Sequence, residues 1–182
     1  MLKRSMVLAL LLAGPLAAEK YEYRVLATTK TSTMEKEMNQ AAESGYTFSA
    51  VMGGDTALAG SEVVVIMAKS SESENMSYRL LATNKTSTMQ KELSKLGDEG
   101  YAYRGQTVFE STFGGREVCV ILERKPESKR IEYRLLATTK TSTMDKELAQ
   151  SGAEGFRLVG MTVGKTAFGG NELVSILARS SE

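Results

Sequence analysis

Lys30-Thr31-Ser32-Thr33 recurs as Lys85-Thr86-Ser87-Thr88 and again as Lys140-Thr141-Ser142-Thr143. An ammonium beside three hydroxyls, just ahead of an apolar helical pattern, suits anion binding. Free N–H groups and the positive end of the helix dipole point outward at such a place. Phosphate, sulfate or a carboxylate would fit. The same residues also suit a plain strand-to-helix turn whose hydroxyls cap the helix and whose lysine pairs with a glutamate of a neighbouring unit. In the surrounding segment, 26–34, only Thr29 differs between copies, whereas across 46–60 only Gly60 is shared. The constraint therefore falls on this turn, and both readings stay open.

Other chemistries have less to stand on. The chain has no His, no Trp and one Cys. That removes the commonest general base and transition-metal ligand, any intrachain disulfide and any multi-cysteine metal site. Cys119 stands where the other copies have Val64 and Val174, and reads as a small buried apolar side chain. Met34 recurs as Met89 and Met144, but Met38 becomes Leu93 and Leu148, which keeps size and loses sulfur; this is core behaviour rather than copper binding. Shared carboxylates such as Glu37 and Glu62 could do glycosidic chemistry without His. Glu37, however, sits on an outer helix face and Glu62 at the start of a strand, so no enzyme, metal or cofactor is expected. Leu58, Phe113 and Phe168 precede the loop glycines and either plug the core or form a partner-contact patch.

The first residues read as a leader. Lys3 and Arg4 precede the apolar run Met6 to Ala13, Gly14-Pro15 breaks it, and small residues end at Ala18. This is a signal-peptide pattern, and the apolar run is far below the roughly 20 residues that span a bilayer. The expectation is export to the periplasm or beyond. Without the leader the formal net charge moves from +1 to −1, with no block of like charge. Nucleic acid is thus excluded as a partner, since its binding rests on phosphate neutralisation. An unknown protein or a small anion remains, with the chain as monomer or homo-oligomer.

Three units of 55 residues account for nearly all that follows the leader, at about 21–75, 76–130 and 131–182, and they align without a gap. Each reads β-α-β-β, an α+β pattern. The first strand alternates, with Tyr21, Tyr23, Val25 and Ala27 on one face. Ser32 with Glu35, Ser87 with Gln90 and Ser142 with Asp145 have capping-box spacing or close to it. Met34 with Met38, and their counterparts, form one apolar helix stripe. Gly45, Gly100 and Gly155 stand where a helix ends in the left-handed region. The last strand, from Glu62, Glu117 or Glu172, is apolar on both faces and so calls for cover on both. One helix covers one face. The expectation is three units packed sheet to sheet about a pseudo-threefold axis, helices outside; the rival is separate units whose second faces meet other molecules, as a homo-oligomer or filament.

The unit also resembles a family of short bacterial β-α-β-β domains of unknown function. Their pattern is a W-E-Y-K-V opening strand, an A-E-G-W-E-L-V helix end, and G-G followed by V-x-I-L-x-R. Here the opening is Glu22-Tyr23-Arg24-Val25 and its counterparts from Ser77 and Glu132. The helix end is Ala153-Glu154-Gly155-Phe156-Arg157-Leu158-Val159, and the closing strands run from Gly114 to Arg124 and Gly169 to Arg179. Tyr21, Met76 and Ile131, and then Tyr46, Tyr101 and Phe156, replace the family's tryptophans. The resemblance implies the fold and carries over no activity or site.

Overall fold

The computed structural model describes residues 20–56, 60–70, 74–111, 115–165 and 170–181. The first unit contains β1 (Glu22–Thr28), α1 (Thr31–Glu43), β2 (Thr47–Thr56) and β3 (Gly60–Lys69). The second contains β4 (Ser77–Thr83), α2 (Thr86–Asp98), β5 (Ala102–Ser111) and β6 (Gly115–Arg124). The third contains β7 (Ile131–Thr138), α3 (Thr141–Ala153), β8 (Arg157–Lys165) and β9 (Asn171–Ser180). Each unit forms its own antiparallel three-stranded sheet, with the last strand in the centre: β1-β3-β2, β4-β6-β5 and β7-β9-β8. A central strand has neighbours on both edges, which is why the sequence concentrates its longest apolar run there. The leader and Leu58, Phe113 and Phe168 lie outside the described residues.

Each helix starts two residues earlier than the capping-box reading places it. The N-cap positions are Lys30, Lys85 and Lys140, all extended, and no side chain caps any of the three helices. The hydroxyl of Thr28 accepts the Lys30 N–H at 3.2 Å, and Thr83 and Thr138 do the same for Lys85 and Lys140. That bond holds the lysine extended, so its carbonyl opens the helix, and Ser32 falls inside the first turn rather than at the cap. The C-termini match expectation: Gly45, Gly100 and Gly155 have φ of +83°, +84° and +84°, a region that residues with a Cβ avoid.

The units stack in sequence. Register places Leu26, Val63, Val65 and Met67 on one side of the first sheet, where Met34 and Met38 of α1 cover them, all at or below 9% exposure. The other side of α1 meets the second sheet, and Tyr78, Cys119 and Ile121 complete the same core. The step repeats: Met89, Leu93 and Leu96 of α2 lie between Val118, Val120 and Leu122 of the second sheet and Tyr133 and Ile176 of the third. Beside the helices, β2 packs directly on β5. The layers run sheet, α1, sheet, α2, sheet, α3. This differs from a threefold arrangement with helices outside. α1 and α2 are interleaved because each is apolar toward both neighbours, and the extensively packed element pairs of different units join first to second and second to third.

Close packing at one joint depends on Gly97, near the end of α2. A Cβ there would overlap the Ile131 carbonyl oxygen and lie 2.8 Å from Tyr133 Cδ2, whereas a Cβ at Gly152, the same position in α3, meets nothing within 4 Å. Gly97→Ala is expected to lose about 1–3 kcal/mol by overpacking. Gly152→Ala should gain up to ~1 kcal/mol of helix propensity in dilute solution. Urea unfolding of the two variants measures the contrast, and equal effects would mean that α2 is not pressed against β7.

Candidate functional site

The three helix entrances are accessible but do not converge. Each belongs to a different layer of the stack. Lys30, Lys85 and Lys140 are exposed, as are Ser32, Ser87, Ser142 and Thr141, while Thr31, Thr33, Thr86, Thr88 and Thr143 are half-buried. Thr86 is committed to the fold: its hydroxyl donates to Glu172 Oε1 at 2.6 Å across the joint between the second and third units. The neighbouring-glutamate contact suggested by the sequence thus exists, made by the threonine rather than the lysine.

A cleft of about 640 Å³ opens between the second and third units, lined by Gln106, Thr107, Glu117, Met161, Thr162 and others. Gln106 Nε2 donates to the Met161 carbonyl oxygen, while Gln106 Oε1 and Thr162 Oγ1 are buried without a partner among the described residues. Among the described residues, Glu117 is the sole ionisable one of this lining. They offer the cleft amides and hydroxyls, and no acid/base pair.

Buried polar groups elsewhere hold the joints together. Tyr78 is 1% exposed; its hydroxyl accepts the Phe48 N–H at 2.8 Å and donates to Glu123 Oε2 at 2.7 Å. Burial and the Glu123 carboxylate raise its pKa far above the usual tyrosine value. Tyr133 donates to the Tyr101 carbonyl at 2.9 Å, and burial raises its pKa strongly as well. Cys119 is fully buried, in keeping with its place among valines, and burial pushes its thiol up to about 12.

The conspicuous surfaces are the two ends of the stack. At the head, the face of the first sheet away from α1 exposes Tyr23 at 65%, Val25 at 64% and Met52 at 59%. Tyr21 stacks on Tyr23 with ring centroids 6.3 Å apart. At the tail, on the α3 side of the third sheet, β8 exposes Leu158, Met161 and Val163 at 49%, 49% and 50%. All the large apolar side chains that stand exposed among the described residues belong to one end or the other. Sequence reasoning misses them, although a signal is present. Met52 stands where covered units have Thr107 and Thr162, and Met161 stands where the second unit has Gln106. A stacked array normally closes with polar outer faces; here the ends are at least as apolar as the middle.

The fold and its ends define a class: a stacked α+β protein of three βαββ units, open at both ends among the described residues. No family model, curated protein or solved structure matches the chain. Among the described residues, no helix is long and apolar enough to cross a membrane, and no cluster of His, Cys, Asp or Glu suits a metal ion.

Proposed function

We propose that this is an exported, non-enzymatic structural protein that works through protein contacts made by its two open end layers. The observation that carries the reading is the segregation of exposed large apolar side chains to those two faces. Such surfaces mark interaction sites when they gather in patches. The leader pattern supports export, to the periplasm or beyond, and the family resemblance supports a shared fold. A second reading keeps the helix entrances as anion sites, favoured by the lack of a side-chain cap on all three helices.

One experiment separates the two. A photo-crosslinking residue is placed at Val25 or Met161 in the producing cell, with Lys36, on the exposed flank of α1, as control. Protein adducts are expected from the two end positions and not from Lys36, and they should persist when Lys30, Lys85 and Lys140 are all changed to Gln. No adduct at either end would sink the contact reading. Loss of adducts in the triple-Gln chain would move the site to the helix entrances.

A further inference from the structure

We propose that the partner of each end layer is a second copy of this chain, joined tail to head, so that the stack continues from one molecule to the next as a polar open chain. This rests on the reading above that the ends are contact surfaces. The internal joints supply the template. In both, a helix and the strand that follows it lie against the first strand and open sheet face of the unit 55 residues on. The tail carries the first half of that joint and the head carries the second half. Leu158, Met161 and Val163 occupy the places of Tyr103, Gln106 and Val108, and Tyr23 and Val25 occupy those of Tyr133 and Leu135. Tyr78 and Tyr133 are 1% and 4% exposed beneath a preceding helix, while Tyr23, with no helix before it among the described residues, is 65% exposed.

Polar groups repeat the same register. In the first joint, Glu35 of α1 accepts the Leu80 N–H at 2.9 Å and pairs with Arg79 Nη1 at 2.9 Å. In the second, Gln90 of α2 accepts the Leu135 N–H at 2.7 Å and donates to the Tyr133 carbonyl at 3.0 Å. These bonds seal the free edges of β4 and β7, which a protein must otherwise protect from unwanted pairing. The corresponding helix residue at the tail is Asp145, exposed. The corresponding strand groups at the head are Arg24 and the Val25 N–H. Opposite charges thus stand ready at matching positions.

Gly152 adds an independent argument. A glycine inside a helix costs about 1 kcal/mol against alanine, and among the described residues nothing lies within 4 Å of where a Cβ at Gly152 would sit. At the same place in α2, Gly97 makes room for β7; β1 of a second copy would need the same room over α3. The first joint manages with Ala42 in this position. The intermolecular joint is also poorer than the internal ones. Ala149 replaces Asn39, which holds the Tyr78 N–H at 2.9 Å and its carbonyl at 3.0 Å, and Asp145 is shorter than Glu35. Assembly is therefore reversible and concentration-dependent. A heterologous joint of this kind runs on as a filament unless its rotation happens to close.

The test uses the full chain with one end blocked at a time, Val25→Glu at the head and Met161→Glu at the tail. By sedimentation velocity, the unmodified chain should gain mass with concentration and show no plateau at the dimer. Each variant alone should sediment as a single chain, because like ends do not fit. An equimolar mixture should give a species of twice the chain mass and nothing larger, since only one open tail and one open head remain. Tyr23→Ser and Leu158→Ser form a second pair, used if either glutamate variant loses its cooperative thermal transition. A mixture that stays monomeric overturns the proposal, and so does a single variant that dimerises by itself. An unmodified chain that is monomeric at every concentration overturns it too, whether its head is bare or covered by the chain's own residues 1–19. Adducts to a different protein from Val25 or Met161, together with a monomeric mixture, would leave the end layers as contact surfaces and remove the second copy as their occupant.

Discussion

Replacing Leu93 with alanine is expected to lower the unfolding free energy by about 2–5 kcal/mol, and the same change at Leu148 by roughly 1–2 kcal/mol. The two leucines occupy one position in successive helices, so propensity and local sequence nearly cancel. Their surroundings differ. Leu93 is 0% exposed, with the second sheet on one side and Tyr133 and Ile176 of the third sheet on the other. Truncation there leaves a closed cavity, and the cavity term adds to the lost transfer energy. Leu148 is only partly buried, because among the described residues no further sheet lies on the outer side of α3; water can fill the space on that open side. Met38→Ala should group with Leu93, since Met38 is 0% exposed between the first and second sheets. Denaturant unfolding at low protein concentration, where chains are separate, gives the three values. A Leu148 loss equal to that of Leu93 would mean that α3 is covered within the molecule and that the stack has no open tail.

The contrast also shows what can be read from the residues alone and what cannot. The order of elements, the Met-Leu helix stripe and the terminating glycines are legible because each is a local rule with its own residue types. The apolar run of the last strand is legible too, but its cover on both faces is not complete in the first unit. β6 shows it fully, with Cys119, Val120, Ile121 and Leu122 all at 0%. What covers that strand is not legible. Tyr23, Tyr78 and Tyr133 are the same residue in the same pattern, so nothing at that position tells an open face from a buried one. The three units look equivalent, and equivalence suggests closure, whereas a stack makes its first and last units unequal. Glu35 and Gln90 mislead for a related reason. Three residues after a serine, they satisfy the spacing of a capping box, but the bond from Thr28 to Lys30 moves the helix start and frees Glu35 to reach the next unit. A local motif and a joint contact have the same spacing, and only the packing separates them. Of the sites suggested by the sequence, the helix entrances are accessible without coming together, while the apolar ends are visible as Met52 and Met161 at positions where neighbouring units turn polar.

Raising the pH is expected to unfold the protein cooperatively between about pH 9 and pH 12, from a stability that is flat below about 9. The groups responsible are buried at or near the joints. Desolvation lifts the Cys119 thiol from 9.0 to about 12, with the nearby Glu117 carboxylate adding to it. Desolvation lifts Tyr103 from 10.0 to about 12. Tyr78 and Tyr133 are raised further still, by burial first and, for Tyr78, by its bond to Glu123. All four pKa values are higher in the folded chain than in the unfolded one. Their contribution is therefore complete below the unfolded values and is lost as pH climbs toward the folded ones, because the unfolded chain releases its protons first. Each tenfold weakening of a buried acid on folding is worth ~1.4 kcal/mol. Several such factors approach the ~5–15 kcal/mol that holds a domain of ordinary stability together. Circular dichroism against pH follows the transition, and tyrosinate absorbance should rise in the same step for the buried residues. Cys119→Val supplies the control. Valine already fills this position in the first and third units, so the core keeps its shape and loses one titrating group, and the alkaline midpoint should move to higher pH. An unchanged midpoint would remove the thiol from the account. Tyrosinate absorbance that reaches its full seven-tyrosine value while the fold is still intact would mean that Tyr78 and Tyr133 are open to water and that the layers do not meet as described.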